Sequence, residues 1–193
     1  MNSKIKLCNL ALAHLGQAPI SSLNQDDERA RRLNLFYDSV RDEVLRTHNW
    51  GFATVQEPLV LVRQICEKGD LYLYKYPVEA LFVRRVLAKN GPQVPFFERF
   101  DNQTKTRVLV CRVPQAEVLY TRKVEDETHW DAAFVKAFSL ALACDIGLSL
   151  TGDAALVRQL EQKYMLCLEE ARRSNCAEDF HLAPQADAFS EVR

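Results

Sequence analysis

THWDAAFVKAFSLALACDIGLSL, residues 128–150, is the most apolar stretch of the chain, and its reading decides the fold. It is long enough for about six helical turns, which raises the question of a membrane span. Lys136 and Asp145 fall inside it, and each would cost about 2.5–3.5 kcal/mol at a bilayer centre. The segment therefore reads as the buried helix of a water-soluble protein. On a helical wheel one face carries Phe134, Phe138, Ala141 and Leu148 with Asp145 among them; the other carries Ser139, Ala143 and Gly147, small residues at every fourth position. Bulk on one side and a groove on the other call for helical neighbours on both.

A first helix is expected from Ser3 to Leu15, with Ser3 as cap and Gly16 as stop. A second opens at Asp26 and Asp27 and carries the stripe Ala30, Leu33, Phe36, Tyr37, Val40 and Val44 before ending at His48-Asn49-Trp50-Gly51. Thr128 is placed to cap the apolar helix, with Asp131 in the reciprocal position. Leu150-Thr151-Gly152-Asp153 turns the chain into a fourth helix, expected to reach Cys176. Between the helical pairs the period changes to two. Leu59–Val62, Leu71–Tyr74, Leu81–Val83, Val108–Val110 and Val118–Thr121 are short β-rich runs separated by turn residues. The resulting expectation is an α+β chain: an antiparallel bundle of four main helices with an inserted small antiparallel β region. Its parts are a helical pair (1–57), the insertion (58–124), a second pair in the same lobe (125–176) and a tail (177–193).

The composition narrows function. A formal net charge of −1 over 193 residues lacks the basic excess of a dedicated nucleic-acid binder. Met1-Asn2-Ser3-Lys4 leads into an amphipathic pattern, not a secretory signal. Six scattered cysteines, Cys8, Cys66, Cys111, Cys144, Cys167 and Cys176, contain no CxxC pair and read as reduced thiols of a cytoplasmic chain. Phosphate loops, HExxH and GxSxG are absent from the sequence, and the four histidines lack metal-ligand spacing. No catalytic, metal or cofactor residue is assigned. His48, at a helix end, is placed to meet free carbonyls. Asp145, a carboxylate on a bulky apolar face, calls for a cation, and Arg31 or Arg41 of the second helix is the expected partner.

Several motifs, in order, carry a resemblance. They are Ala11-Leu12-Ala13-His14-Leu15-Gly16-Gln17-Ala18-Pro19-Ile20-Ser21-Ser22-Leu23, the run from Tyr37 through Asn49-Trp50-Gly51-Phe52-Ala53, and Leu73-Tyr74-Lys75-Tyr76-Pro77-Val78-Glu79-Ala80-Leu81. Tyr120-Thr121, Asp126, Phe134, Leu140-Ala141-Leu142-Ala143, Leu150-Thr151-Gly152-Asp153, Tyr164 and Ala171-Arg172 complete the series. Together they resemble the head-to-tail adaptors of short-tailed phages, the tail tubular protein A or gatekeeper family; Glu79 stands where that family more usually has Asp. The resemblance covers about residues 5–175. It implies a virion protein of the neck or tail, made in the host cytoplasm, that forms a ring commonly of twelve subunits. Such a ring sits between the portal protein and the tail nozzle protein, with double-stranded DNA passing through without sequence-specific binding during packaging and ejection. It further implies a terminal arm on the portal, for which Phe180, Leu182 and Phe189 are the candidates. Two other classes are a small cytosolic regulatory or nucleic-acid-binding module and, further off, a thiol- or carboxylate-based enzyme.

Overall fold

The structure, a computed structural model, describes residues 3–66 and 70–179. Each helix begins where a short polar side chain takes the place of the missing backbone acceptor. Ser3 accepts from Lys6 N at 3.3 Å to start α1 (Lys4–His14), and Asp27 accepts from Arg29 N at 2.8 Å to start α2 (Glu28–Thr47). Gly16, at φ 65°, closes α1 in the left-handed region that glycine alone enters freely. α3 spans Ala132–Thr151 and α4 Ala154–Asp179, the latter capped by Asp153 Oδ1 on the amides of Ala155 and Leu156.

Thr128 does not cap α3. Glu127–His129 form a single 3-10 turn whose cap is Asp126, and Asp131 is the cap of α3, accepting from Phe134 N at 2.6 Å. The three-residue delay is set by Trp130, which is buried between Tyr37, Phe134 and Phe138 with ring centroids 4.8–6.4 Å apart. Trp50, with its indole N–H donating to Val44 O at 2.8 Å, and Phe52 close the same cluster on Phe134. In α1 the buried residues are Leu7, Cys8, Ala11 and Leu12, while Ile5 is exposed.

The larger correction concerns the middle of the chain. Eight strands are present among the described residues: β1 (Thr54–Pro58), β2 (Leu61–Ile65), β3 (Leu71–Lys75), β4 (Ala80–Ala88), β5 (Gln93–Val94), β6 (Phe96–Asp101), β7 (Thr106–Cys111) and β8 (Ala116–Arg122). They form two four-stranded antiparallel sheets, ordered β1-β8-β4-β5 and β2-β3-β7-β6. The chain is thus a mixed α+β fold rich in sheet, not a helical bundle with a small insertion. One core joins the inner faces of both sheets through Tyr74, Leu109 and Cys111 from one and Val83, Val86, Val118 and Tyr120 from the other. The alternate residues Leu73, Val108 and Val110 lie on the opposite face of the second sheet. There Arg63 crosses from β2 to Asp101 of β6 at 2.6 Å.

Helices and sheets meet at Arg84. From β4 its Nε donates to Thr121 Oγ1 of β8 at 2.9 Å. Its Nη2 lies 3.1, 2.9 and 2.8 Å from the carbonyl oxygens of Leu45, Arg46 and His48 at the C-terminus of α2. The carbonyls expected to meet the His48 imidazole are met by this guanidinium, a cation at the negative end of the helix dipole. Hydrogen bonds from a charged donor are worth about 1.5–3 kcal/mol each, though shared protons keep the sum below three such bonds. Arg84→Ala is therefore expected to lower the free energy of urea unfolding by about 2–4 kcal/mol. The exposed neighbour Arg85→Ala should stay within about 0.5 kcal/mol of the parent.

Candidate functional site

α3 lies at the centre of the helical lobe, in contact with α1, α2 and α4. It is long and apolar enough by composition to cross a bilayer, and its buried residues pack against those three helices in the manner of a core helix. The small-residue face is filled from within the chain. A Cβ on Gly147 would lie 2.9 Å from Val157 Cγ2 of α4 and 3.1 Å from Leu15 Cδ2 beside α1. Ser139 and Ala143 are buried in the same seam. His14 Nε2 is 3.2 Å from Ser139 Oγ, whose hydroxyl reaches the Lys136 carbonyl at 3.0 Å.

The expected ion pair at Asp145 is not formed. Arg31 pairs with Asp26 at 2.6 Å and Glu28 at 3.5 Å on the surface. Arg41, only 3 % exposed, is held by Asp38 and Asp42 of its own helix, both at 2.8 Å. The wheel placed Asp145 correctly on the face of Phe134 and Phe138, but that face leaves the core as it runs C-terminally. Phe134 and Phe138 are buried, Ala141 half-buried, and Asp145 and Leu148 exposed. Asp145 instead lines a cleft of about 180 Å³ with Glu43 of α2, Glu161 and Tyr164 of α4, and Cys144. Partial desolvation, then the Glu43 carboxylate, raise its pKa above the ordinary carboxylate value. Among the described residues no cation forms an ion pair with these three carboxylates. Their convergence from three helices has no signature in the sequence.

At Cys8 and Cys144 burial works against thiol chemistry. It pushes the Cys8 thiol up to about 12 and the Cys144 thiol up to about 11, leaving almost no thiolate near neutral pH. The His14–Ser139 contact lacks a carboxylate to orient the imidazole among the described residues, and the hydroxyl is sealed between helices. No group of three or more His, Cys, Asp or Glu among the described residues is arranged to hold a metal ion.

The surface is more informative than the clefts. Large apolar side chains stand in solvent on both modules: Met165 and Leu166 on α4, Leu35 on α2, and Val60, Leu61, Phe97 and Phe100 along the second sheet. Sequence reasoning assigned Leu61 to a strand but did not foresee its exposure, because β6 and the outer position of β2 were not recognised. Phe180, Leu182 and Phe189 lie outside the described residues, which end with α4 at Asp179. The chain matches no protein-family model and no curated protein.

Two outcomes follow from this geometry. Asp145→Asn should melt within about 0.5 kcal/mol of the parent, with no partner to lose and one like-charge neighbour relieved; a large loss by thermal unfolding would restore a buried pair. His48 is 8 % exposed. Burial, then the Arg172 and Arg84 cations, lower its pKa below the ordinary 6.5. The unfolded chain binds this proton near pH 6.5 while the folded chain does not. Stability is then full above that pH and falls as pH drops toward the folded value. Melting temperature measured from pH 7.5 to 5 should decline, and His48→Gln should flatten the decline.

Proposed function

We propose that the chain is the subunit of a head-to-tail adaptor ring in a short-tailed phage, seated between the portal and the tail nozzle. The observation that carries this reading is the exposure of large apolar side chains on both the helical lobe and the β module. Scattered single residues would be unremarkable, but Val60-Leu61-Val62 and the pair Met165-Leu166 are exposed apolar residues adjacent in sequence, and clustering of exposed apolar side chains suits contact with other chains. The ordered series of adaptor-like motifs from about residue 5 to 175 supports the same reading.

A ring is built from heterologous contacts, in which one patch meets a different patch on the next copy and the rotation closes. A subunit with unlike apolar patches on separate modules suits that rule. The net charge of −1 suits a passage through which DNA slides, since a strongly basic lining would hold phosphates in a salt-dependent grip. The residues that follow α4, with Phe180, Leu182 and Phe189, supply the arm to the portal in this reading.

Negative-stain microscopy of the chain mixed with its portal should show rings with a central hole on the portal. Single subunits throughout the mixture would overturn the reading. Phe180→Ser with Phe189→Ser should weaken portal capture in a pull-down while leaving the melting temperature unchanged.

A further inference from the structure

Pro95 carries the chain from β5 in the first sheet to β6 in the second, and β5 pairs with β4 only through Val94 and Gln93. Beside that short strand a cleft of about 530 Å³ opens where β3 and β6 begin and β7 ends. Val94 lines it from the first sheet, Leu71, Phe96, Phe97 and Val110 from the second, and Arg112 from just beyond β7. A larger hollow of about 650 Å³ lies along α4, but that helix alone lines it, between Arg158 and Leu166, so it is a groove without an opposing wall.

Two features of the cleft between the sheets point to a ligand. The first is its size, which falls within the range of about 300–1,000 Å³ that small-molecule sites occupy. At about 30 Å³ for a water-sized group, it has room for roughly 10–17 of them, more than one apolar side chain would fill. The second is Arg112, the only charged side chain that lines it. On the same sheet Arg63 is held by Asp101 and Arg107 by Glu98, whereas Arg112 has no ion pair or hydrogen bond among the described residues. The surroundings add to its field: between Thr54 and Val124 the chain carries twelve Lys and Arg against seven Asp and Glu, although its total is −1.

We propose that this cleft binds a small amphipathic anion, a carboxylate on an unbranched chain of about eight to twelve carbons. The chain lies among Val94, Phe96, Phe97 and Val110, and the carboxylate meets the Arg112 guanidinium, whose planar fork matches its two oxygens. One guanidinium balances the single charge of a carboxylate; a phosphate monoester carries nearly two and would call for a second cation in the wall. The site is complete within one subunit, so it goes beyond the ring reading and does not depend on it.

Titration of the full chain with sodium octanoate, followed by amide chemical shifts, reads both affinity and place. Shifts should saturate with a Kd of about 1 mM or tighter and centre on Leu71, Val94, Phe96, Phe97 and 110–112, while the amides of α1 and α4 stay still. 1-Octanol, the same chain without the charge, should bind at least about threefold more weakly. Arg112→Gln, at an exposed position, should keep the parent's melting temperature, weaken octanoate by about tenfold and leave octanol unchanged. Shifts that do not saturate, shifts centred elsewhere, octanol binding as tightly as octanoate, or an Arg112→Gln chain that binds octanoate as the parent does would each overturn the site. So would the acidic peptide Asp-Asp-Phe-Asp-Asp moving these amides where octanoate does not, since the occupant is then a protein segment. All these readings are made on the dilute chain without portal, so their failure leaves the ring reading standing, and single subunits beside the portal leave this site standing.

Discussion

The Arg84 guanidinium is the joint on which the two halves of the molecule depend. α2 ends with carbonyls that no residue of its own helix can satisfy, and the first sheet must be anchored to the helices where its inner strands β4 and β8 pair. A single side chain from β4 serves both needs, binding three helix-terminal carbonyls and the Thr121 hydroxyl. Its charge is tolerated at half burial because the acceptors are the negative end of a helix. The Arg84 and Arg46 guanidiniums also lie 4.7 and 5.1 Å from the Phe82 ring centroid, so the joint has an apolar floor. Lysine could not reproduce it, lacking the planar fork that reaches helix and sheet together.

Around that joint the lobe is organised by aromatic rings more than by aliphatic stripes. Tyr37, Trp50, Trp130, Phe134 and Phe138 pack mostly edge to face, and three of them also direct a polar atom. The two indoles donate to Val44 and Val124 carbonyls, and the Tyr37 hydroxyl reaches Glu127 at 3.0 Å. These bonds fix the approach to α3, which is why the helix starts at Asp131 and not at the earlier threonine.

What the residues revealed in advance follows a physical division. Local signals were legible: Ser3, Gly16, Asp27 and Asp153 act on backbone groups within a few positions of themselves, and they stand where the periodicity placed them. The face pattern of α3 was legible too, and its small-residue seam proved to be intrachain. Three strands escaped. β1 follows directly on a helix end without alternation, β5 is only two residues long, and β6 lies at an edge where Phe97, Glu98, Arg99 and Phe100 are all exposed. From Phe97 to Phe100 neither face of β6 is buried, so no period of two is imposed there. The Asp145 error has the same origin, since a wheel reports which residues share a face but not how far along the helix that face stays covered. The acidic cleft depends on three helices meeting and is invisible to any one of them.

The pairing of β1 with β8 has a consequence for how the chain comes together. The helical lobe is assembled from the two ends of the sequence, with every strand in between. Left as a coil, that intervening span would have to be closed as one long loop before α1 and α2 found α3. The Thr54–Thr121 register brings the two exits of the span side by side. All eight strands precede α3, so on a chain emerging from its N-terminus the sandwich is complete before the central helix exists. The β module is then a template for the lobe: it converts a distant search between chain ends into a local one.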